Sequence, residues 1–190
     1  NMGYSYHYNS IGGAIINNTI ASNSYSIRFN FESAGNIMYA LSKATNIRKN
    51  NDGEYAILGI PYAQYVKGEF DFSKNIRIDH RNSFAFHIGM GIAVPYGNAK
   101  TIPFEKQYFS GGANSVRGWT VRDLGPGSFV RDENTNLLDQ SGDIKLDASI
   151  EYRSKLFWKF QGAIFVDAGN IWTIRDYDNQ PGGVFKFDKI

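Results

Sequence analysis

Apolar and polar side chains alternate with a two-residue period in several separate stretches, the pattern of strands with one apolar face. The clearest case spans residues 83–94. Phe84, Phe86, Ile88, Met90, Ile92 and Val94 share one face, and Ser83, Ala85, His87, Gly89, Gly91 and Ala93 share the other. Near the start, Tyr4, Tyr6 and Tyr8 stand opposite Ser5 and His7, and Ile27, Phe29 and Phe31 stand opposite Arg28 and Asn30. A long extended stretch over residues 55–78 aligns Val66, Phe70, Phe72, Ile76 and Ile78 against Lys67, Glu69, Asp71 and Arg77. Further on, Asp143, Lys145, Asp147, Ser149, Glu151 and Arg153 alternate strictly with Ile144, Leu146, Ala148, Ile150 and Tyr152. Residues 159–172 place Gln161, Phe165 and Asp167 on one side, and Phe160, Ile164, Val166 and Trp172 on the other. About six strands are predicted in all.

Between them the period changes. Ile37, Met38, Leu41 and Ala44 recur at helical spacing and predict a short helix within residues 35–46, while residues 14–20 suit a short extended piece. Turns are expected at residues 49–53, 79–82 and 155–158, the last carrying Phe157 and Trp158 as an interfacial aromatic belt would.

The charged faces narrow the fold class. So many ionisable groups on one side of one strand need water or partners, because an isolated buried charge is very costly. An antiparallel transmembrane β-barrel supplies both, with lipid outside and a wet lumen inside. A soluble β-sandwich shows the same alternation, so periodicity leaves the two open.

Composition adds three constraints. Aromatics at 15% and 20 glycines against 5 prolines suit many strands joined by turns. The net charge of +2 is too small and evenly mixed for nucleic acid. The absence of cysteine removes disulfides and thiolate metal sites. No run of 18 apolar residues could form a transmembrane helix, which leaves a barrel possible because its strands need only about ten alternating residues. The chain opens inside a tyrosine-rich alternation without an initiator methionine, as a section of a longer protein would.

The long polar segment at about residues 95–142 carries the candidate site, since a loop of that length is usually functional or disordered. Gly111 and Gly112 open backbone angles closed to other residues. Gly118 removes a side chain beside Arg117, which would let the backbone lie against a wall. Arg117, a planar five-donor cation between apolar Val116 and Trp119, is suited to a carboxylate-lined recess. Catalytic patterns are weak by comparison. His7, His80 and His87 are far apart in the chain, with no His-Glu-x-x-His run. Asp132, Asn134 and Asn136 open like a calcium loop but lack its glycine and terminal glutamate. Gly89-Met90-Gly91 lacks the third glycine of a dinucleotide turn, and no Gly-x-Ser-x-Gly elbow occurs.

Residues 109–119, Phe-Ser-Gly-Gly-Ala-Asn-Ser-Val-Arg-Gly-Trp, resemble the sixth extracellular loop of the BamA/TamA outer-membrane assembly superfamily, whose motif is Val/Ile-Arg-Gly-Phe/Tyr after a Gly-Gly pair. Trp119 departs from that motif in size but not in character. Pro95-Tyr96-Gly97-Asn98, residues 103–109, Leu124-Gly125-Pro126-Gly127, Ala148-Ser149-Ile150-Glu151-Tyr152 and residues 165–172 also resemble that family, in the form of its Bacteroidetes-type members. The similarity is clear over about residues 62–172.

The resemblance implies that residues 1–190 are part of an outer-membrane barrel of about sixteen strands, roughly three of them after Ile190. It implies that Arg117 reaches into the lumen and pairs with Glu151 and Asp167. The alternation places both acids on the polar face independently, and a one-residue slip would aim them at lipid. The implied function is folding and inserting client β-barrel proteins in the bacterial outer membrane, as a non-enzyme using neither ATP nor metal and no cofactor. Outer-membrane lipid, client barrels and accessory periplasmic or lipoprotein subunits are the implied partners. Related barrels act as two-partner secretion pores or as membrane anchors of patatin-like lipases, and a soluble β-sandwich binding module is the alternative of another class. Six strands with two open edges would also invite pairing with other chains.

Overall fold

The computed structural model describes residues 1–10, 23–51, 53–130 and 140–186. The extended piece expected at residues 14–20 and the trio Asp132, Asn134 and Asn136 lie outside the described residues. Six strands form one antiparallel sheet: β1 (Met2–Ser10), β2 (Ser24–Ala34), β5 (Tyr65–Arg77), β6 (Asn82–Pro95), β7 (Ile144–Lys155) and β8 (Gln161–Trp172), neighbours in that order. The sheet is open, with β1 and β8 at its margins. Between β2 and β5 lie the helix α1 (Asn36–Ala44) and a small hairpin of β3 (Ala56–Ile57) and β4 (Ile60–Pro61).

Register turns the alternation into two chemically distinct faces. Tyr4 pairs with Phe31, Tyr6 with Phe29 and Tyr8 with Ile27. Phe70 meets Met90, Met90 meets Leu146, and Ile150 meets Val166, so the apolar row continues across the whole sheet. Apart from the corner at Trp172, most of that face is left uncovered by the described chain: Tyr4 is 63% exposed, Ile164 75% and Val166 70%. The opposite face pairs Glu32 with Lys67, Arg28 with Asp71, and Gly89 with Asp147. Six buried apolar side chains, Ala34, Tyr65, Ala93, Ile102, Tyr108 and Ile171, form one cluster where the long loop meets the charged face.

Both faces follow the predicted alternation, but element boundaries differ at several points. The stretch expected to be extended from Tyr55 onward is interrupted by the β3–β4 hairpin, because Leu58 (φ 51°) and Gly59 (φ 83°) make a left-handed two-residue turn. The expected helix within residues 35–46 is α1, entered through Gly35 at φ 80°. The last strand starts at Gln161 rather than 159, after a turn in which Trp158 takes φ 51°. Trp172, placed by alternation on the apolar face, is only 9% exposed because Phe185 meets its ring edge-on at 5.4 Å.

The two ends of the sheet differ in kind. At one rim, β5 and β6 are joined by a short turn in which the Asp79 carboxylate accepts hydrogen bonds from the backbone of Arg81 (2.6 Å) and Asn82 (2.9 Å). The Asn82 side-chain amide, which donates to Oδ2 at 2.8 Å, and these backbone donors hold its carboxyl below the usual aspartate range. At the other rim lie α1, the β3–β4 hairpin, the long loop between β6 and β7, and the segment after β8.

Candidate functional site: a loop folded onto the charged face

The long loop descends from β6, makes a single 3-10 turn (Phe104–Lys106), and then crosses the inner face. Tyr108 and Gly142 exchange backbone hydrogen bonds at 2.8 and 2.9 Å, and Ser110 bridges Leu124, so the two limbs are stitched together. The hairpin tip is set by Gly111 (φ 96°) and Gly112 (φ 90°), with the Gly112 N–H donating to the Trp119 carbonyl at 2.8 Å. A Cβ at Gly111 would collide with the Thr120 carbonyl oxygen, so the close approach expected of this pair occurs within the hairpin itself.

Arg117 occupies the recess below that tip. Its Nε donates to Asp167 Oδ2 at 2.7 Å, its Nη2 to Asp167 Oδ1 at 2.7 Å, and its backbone N–H also reaches Oδ2 at 3.1 Å. Nη1 donates to Glu151 Oε2, whose other oxygen accepts from Arg153 Nε at 2.5 Å. The fork on Asp167 is bidentate, the geometry a guanidinium supports and an ammonium does not. The Arg117 Cζ lies 3.6 Å from the Phe165 ring centroid, so an aromatic face closes one side of the recess. The Asp167 side chain is 4% exposed and that of Glu151 12%, against 26% for Arg117. Hydrogen bonds from Arg117 to Asp167 first, and Glu151 second, push the guanidinium even further above its ordinary range, so it stays charged at any working pH.

The other motif residues are placed differently from one another. Val116 is buried, and Trp119 is about half exposed. The Gly118 backbone is not left-handed, and a Cβ there would meet nothing within 4 Å among the described residues. Gly118 thus does not let the backbone lie against a wall; the recess is reached by the length of the Arg117 side chain. His7, His80 and His87 stay apart, and His87 sits between Asp71 (3.4 Å) and Asp147 (3.5 Å).

Sequence reasoning passed over a second seat. Tyr108 is 7% exposed and lies directly over Gly91 of β6, where an added Cβ would come within 2.6 Å of the phenol ring. Its hydroxyl donates to the Gly68 carbonyl at 3.2 Å, and the Lys67 ammonium stands 4.3 Å from its ring centroid. Burial pushes the Tyr108 hydroxyl far above the ordinary phenol range. Just before it, Lys106 Nζ pairs with Glu32 at 2.8 Å, and Glu32 also accepts from the Tyr65 hydroxyl at 2.8 Å. A glycine facing inward in an otherwise well-formed strand was the available clue, since such a residue marks close approach of another backbone or side chain. Lys106 on β2, Tyr108 on β5 and β6, and Arg117 on β7 and β8 together tie the loop to five of the six strands.

Asp143 closes the base of the loop. Its backbone N–H donates to the Trp172 carbonyl (2.8 Å), its carbonyl accepts from Ala93 (2.7 Å), and its carboxylate accepts from the Ile174 N–H (3.1 Å). It is 1% exposed, and burial pushes its carboxyl above the ordinary value of 3.8, with the Ile174 N–H, Arg175 and Gln107 offsetting only part of that cost. A raised carboxyl binds its proton more readily in the folded state, so its stabilising effect is complete below the ordinary value and is lost as pH rises through the raised one. Asp143→Asn should flatten the pH dependence of stability across that window. Protease-resistance melts at a series of pH values would check this, and an unchanged profile would contradict it.

A sheet with one continuous lipid-ready face and one charged face, the latter occupied by a loop from its own rim, is a section of an outer-membrane β-barrel with an inward-folded loop. The Omp85 superfamily domain matches residues 17–187, and the chain belongs to that family of outer-membrane barrels. The outer membrane protein assembly factor BamA of Neisseria meningitidis serogroup B is 35% identical over 99 residues, 47% of this chain and 12% of that protein. Among solved structures, BamA from Haemophilus ducreyi lacking POTRA domains 1–3 covers 90% of this chain and 42% of its own at 17% identity, with a TM-score of 0.47. The chain thus spans less than half the length of either relative.

Proposed function

We propose that this chain is the loop-bearing section of a barrel that helps fold and insert client β-barrel proteins into the outer membrane, with the loop rim facing the cell exterior. The observation carrying the reading is Arg117 held by Glu151 on β7 and Asp167 on β8. A pore that simply opened would gain little from a cation fixed across two neighbouring strands, whereas a barrel that must yield at one wall needs its opposite wall braced. The brace spans β2 to β8 through Lys106, Tyr108 and Arg117, so these strands move as one body. Insertion by this means needs neither nucleotide nor metal, because the driving force is the apolar burial and strand pairing of the client itself. Client barrels and accessory periplasmic or lipoprotein subunits are the partners this role requires.

The test is reconstitution of the full-length protein in liposomes with a urea-unfolded outer-membrane barrel. The folded, heat-modifiable form of the client should accumulate faster than in protein-free liposomes. Equal rates would remove the proposal, and passage of an unfolded substrate into the liposome without its insertion would favour a secretion pore.

A further inference from the structure

The helix α1 is amphipathic the wrong way round for a helix that packs on its own protein. Its inward side is Tyr39, edge-on to Tyr55 at 5.6 Å, and Ser42, which is 2% exposed and accepts a hydrogen bond from the Tyr62 hydroxyl at 3.2 Å. Its outward side carries Ile37, Met38 and Leu41, each about half exposed. The hairpin β3–β4 lies between Tyr55 and Tyr62, the two residues that grip α1, and presents Leu58 at 98% exposure and Ile60 at 71%. Leu58 stands at φ 51°, a conformation that a bulky residue rarely adopts and that turns of this kind normally give to Asn or Asp. A leucine held there is displayed rather than stored.

We infer that α1 and the β3–β4 turn form an interfacial foot that dips into the outer leaflet beside β2, its apolar side chains among the acyl chains and its cations on lipid phosphates. The inference rests on the proposed extracellular side of the loop rim. Two features choose lipid over a protein partner. The first is continuity: α1 leaves directly from β2, whose outward row is Tyr25, Ile27, Phe29 and Phe31, and Asn36 Nδ2 donates at 2.6 Å to the outward-facing Ser33. A Cβ at Gly35 would lie 2.8 Å from Gln64 Cα, so the root of the helix is fixed against the rim. The second is charge: Lys43 on α1 and Arg48 and Lys49 just after it are exposed, three cations against the two acids, Asp52 and Glu54, that the sequence holds between α1 and the hairpin. An amphipathic segment with an apolar side and an excess of cations lies in the headgroup plane of an anionic membrane.

The native chain has no cysteine, so Leu41→Cys and Leu58→Cys each place one environment-sensitive fluorophore. The full-length protein would be placed in nanodiscs of phosphatidylglycerol or of phosphatidylcholine, with doxyl-labelled lipid or aqueous iodide as quencher. The expected result in phosphatidylglycerol is blue-shifted emission at both positions, quenched by lipid-borne doxyl and protected from iodide, while Asp123→Cys on the long loop stays open to iodide. Changing Lys43, Arg48 and Lys49 to Gln should lower the ratio of inserted to exposed label by about five-fold per charge in phosphatidylglycerol, with little change in phosphatidylcholine. Iodide quenching without doxyl quenching at both positions would overturn the inference, as would protection that appears only when a second protein is added. Impermeant maleimide on intact cells reads the sidedness separately through Asp123→Cys. Client folding is not measured, so failure here is distinguishable from failure of the assembly role.

Discussion

Arg117→Ala should free the hairpin tip from β7 and β8 and destabilise the folded barrel by about 3 kcal/mol, the cost of leaving a buried acid without its cation. Asp167 would bear most of that cost: it is the more deeply buried acid and all its hydrogen bonds described here come from Arg117, whereas Glu151 retains Arg153. Arg117→Lys should recover only part of the loss, because an ammonium cannot make the bidentate fork on Asp167. The informative variant is Arg117→Ala combined with Asp167→Asn. Removing both charges should restore much of the thermal stability while leaving the tip open to protease, since the orphaned charge is gone but the pin is still missing. Client folding in the reconstituted system should track the pin: both variants slow it, and the stabilised double variant does not rescue it. Undiminished folding and an unchanged protease pattern in Arg117→Ala would show that the contact has no role.

Gly91→Val should have the next largest effect. The new side chain would occupy the space now filled by the Tyr108 ring, and overpacking at a seat with backbone on one side and a phenol on the other costs about 1–3 kcal/mol. The loop would lift from β5 and β6 while Arg117 remained engaged, so protease should cut near residues 104–110 and spare the tip. Trimming the ring with Tyr108→Ala in the Gly91→Val background should recover part of the stability, because the two changes share one volume. Strictly additive losses in that pair would mean that Tyr108 is not seated against Gly91.

Much of this architecture was legible from the chain because strand periodicity leaves no intermediate option: each residue faces one side or the other. The same rule that set Phe84 through Val94 on one face set Glu151 and Asp167 on the opposite one, and the family motif supplied the cation to join them. What escaped was tertiary in origin. The seat of Tyr108 depends on which strand the descending limb crosses, and no local pattern encodes that. The missing side chain of Gly118 suggests a close backbone approach, although the backbone there is ordinary and the surroundings open. The turn at Leu58 and Gly59 was hidden because leucine is the wrong residue by turn statistics, and Trp172 was misjudged because its cover comes from residues beyond the strand. Helical spacing found α1 but could not say which way its apolar side would point.

The tethers between loop and sheet descend the wall in steps: Lys106 at Glu32 and Tyr108 at Gly91 lie near the loop rim, whereas Arg117 reaches Asp167 at mid-strand and Glu151 four residues from the far end of β7. The wall is therefore laced like a corset, from one rim to below its waist. Its ribs cannot splay at one end without drawing on the same cord, so a change in girth on one side of the membrane is felt on the other.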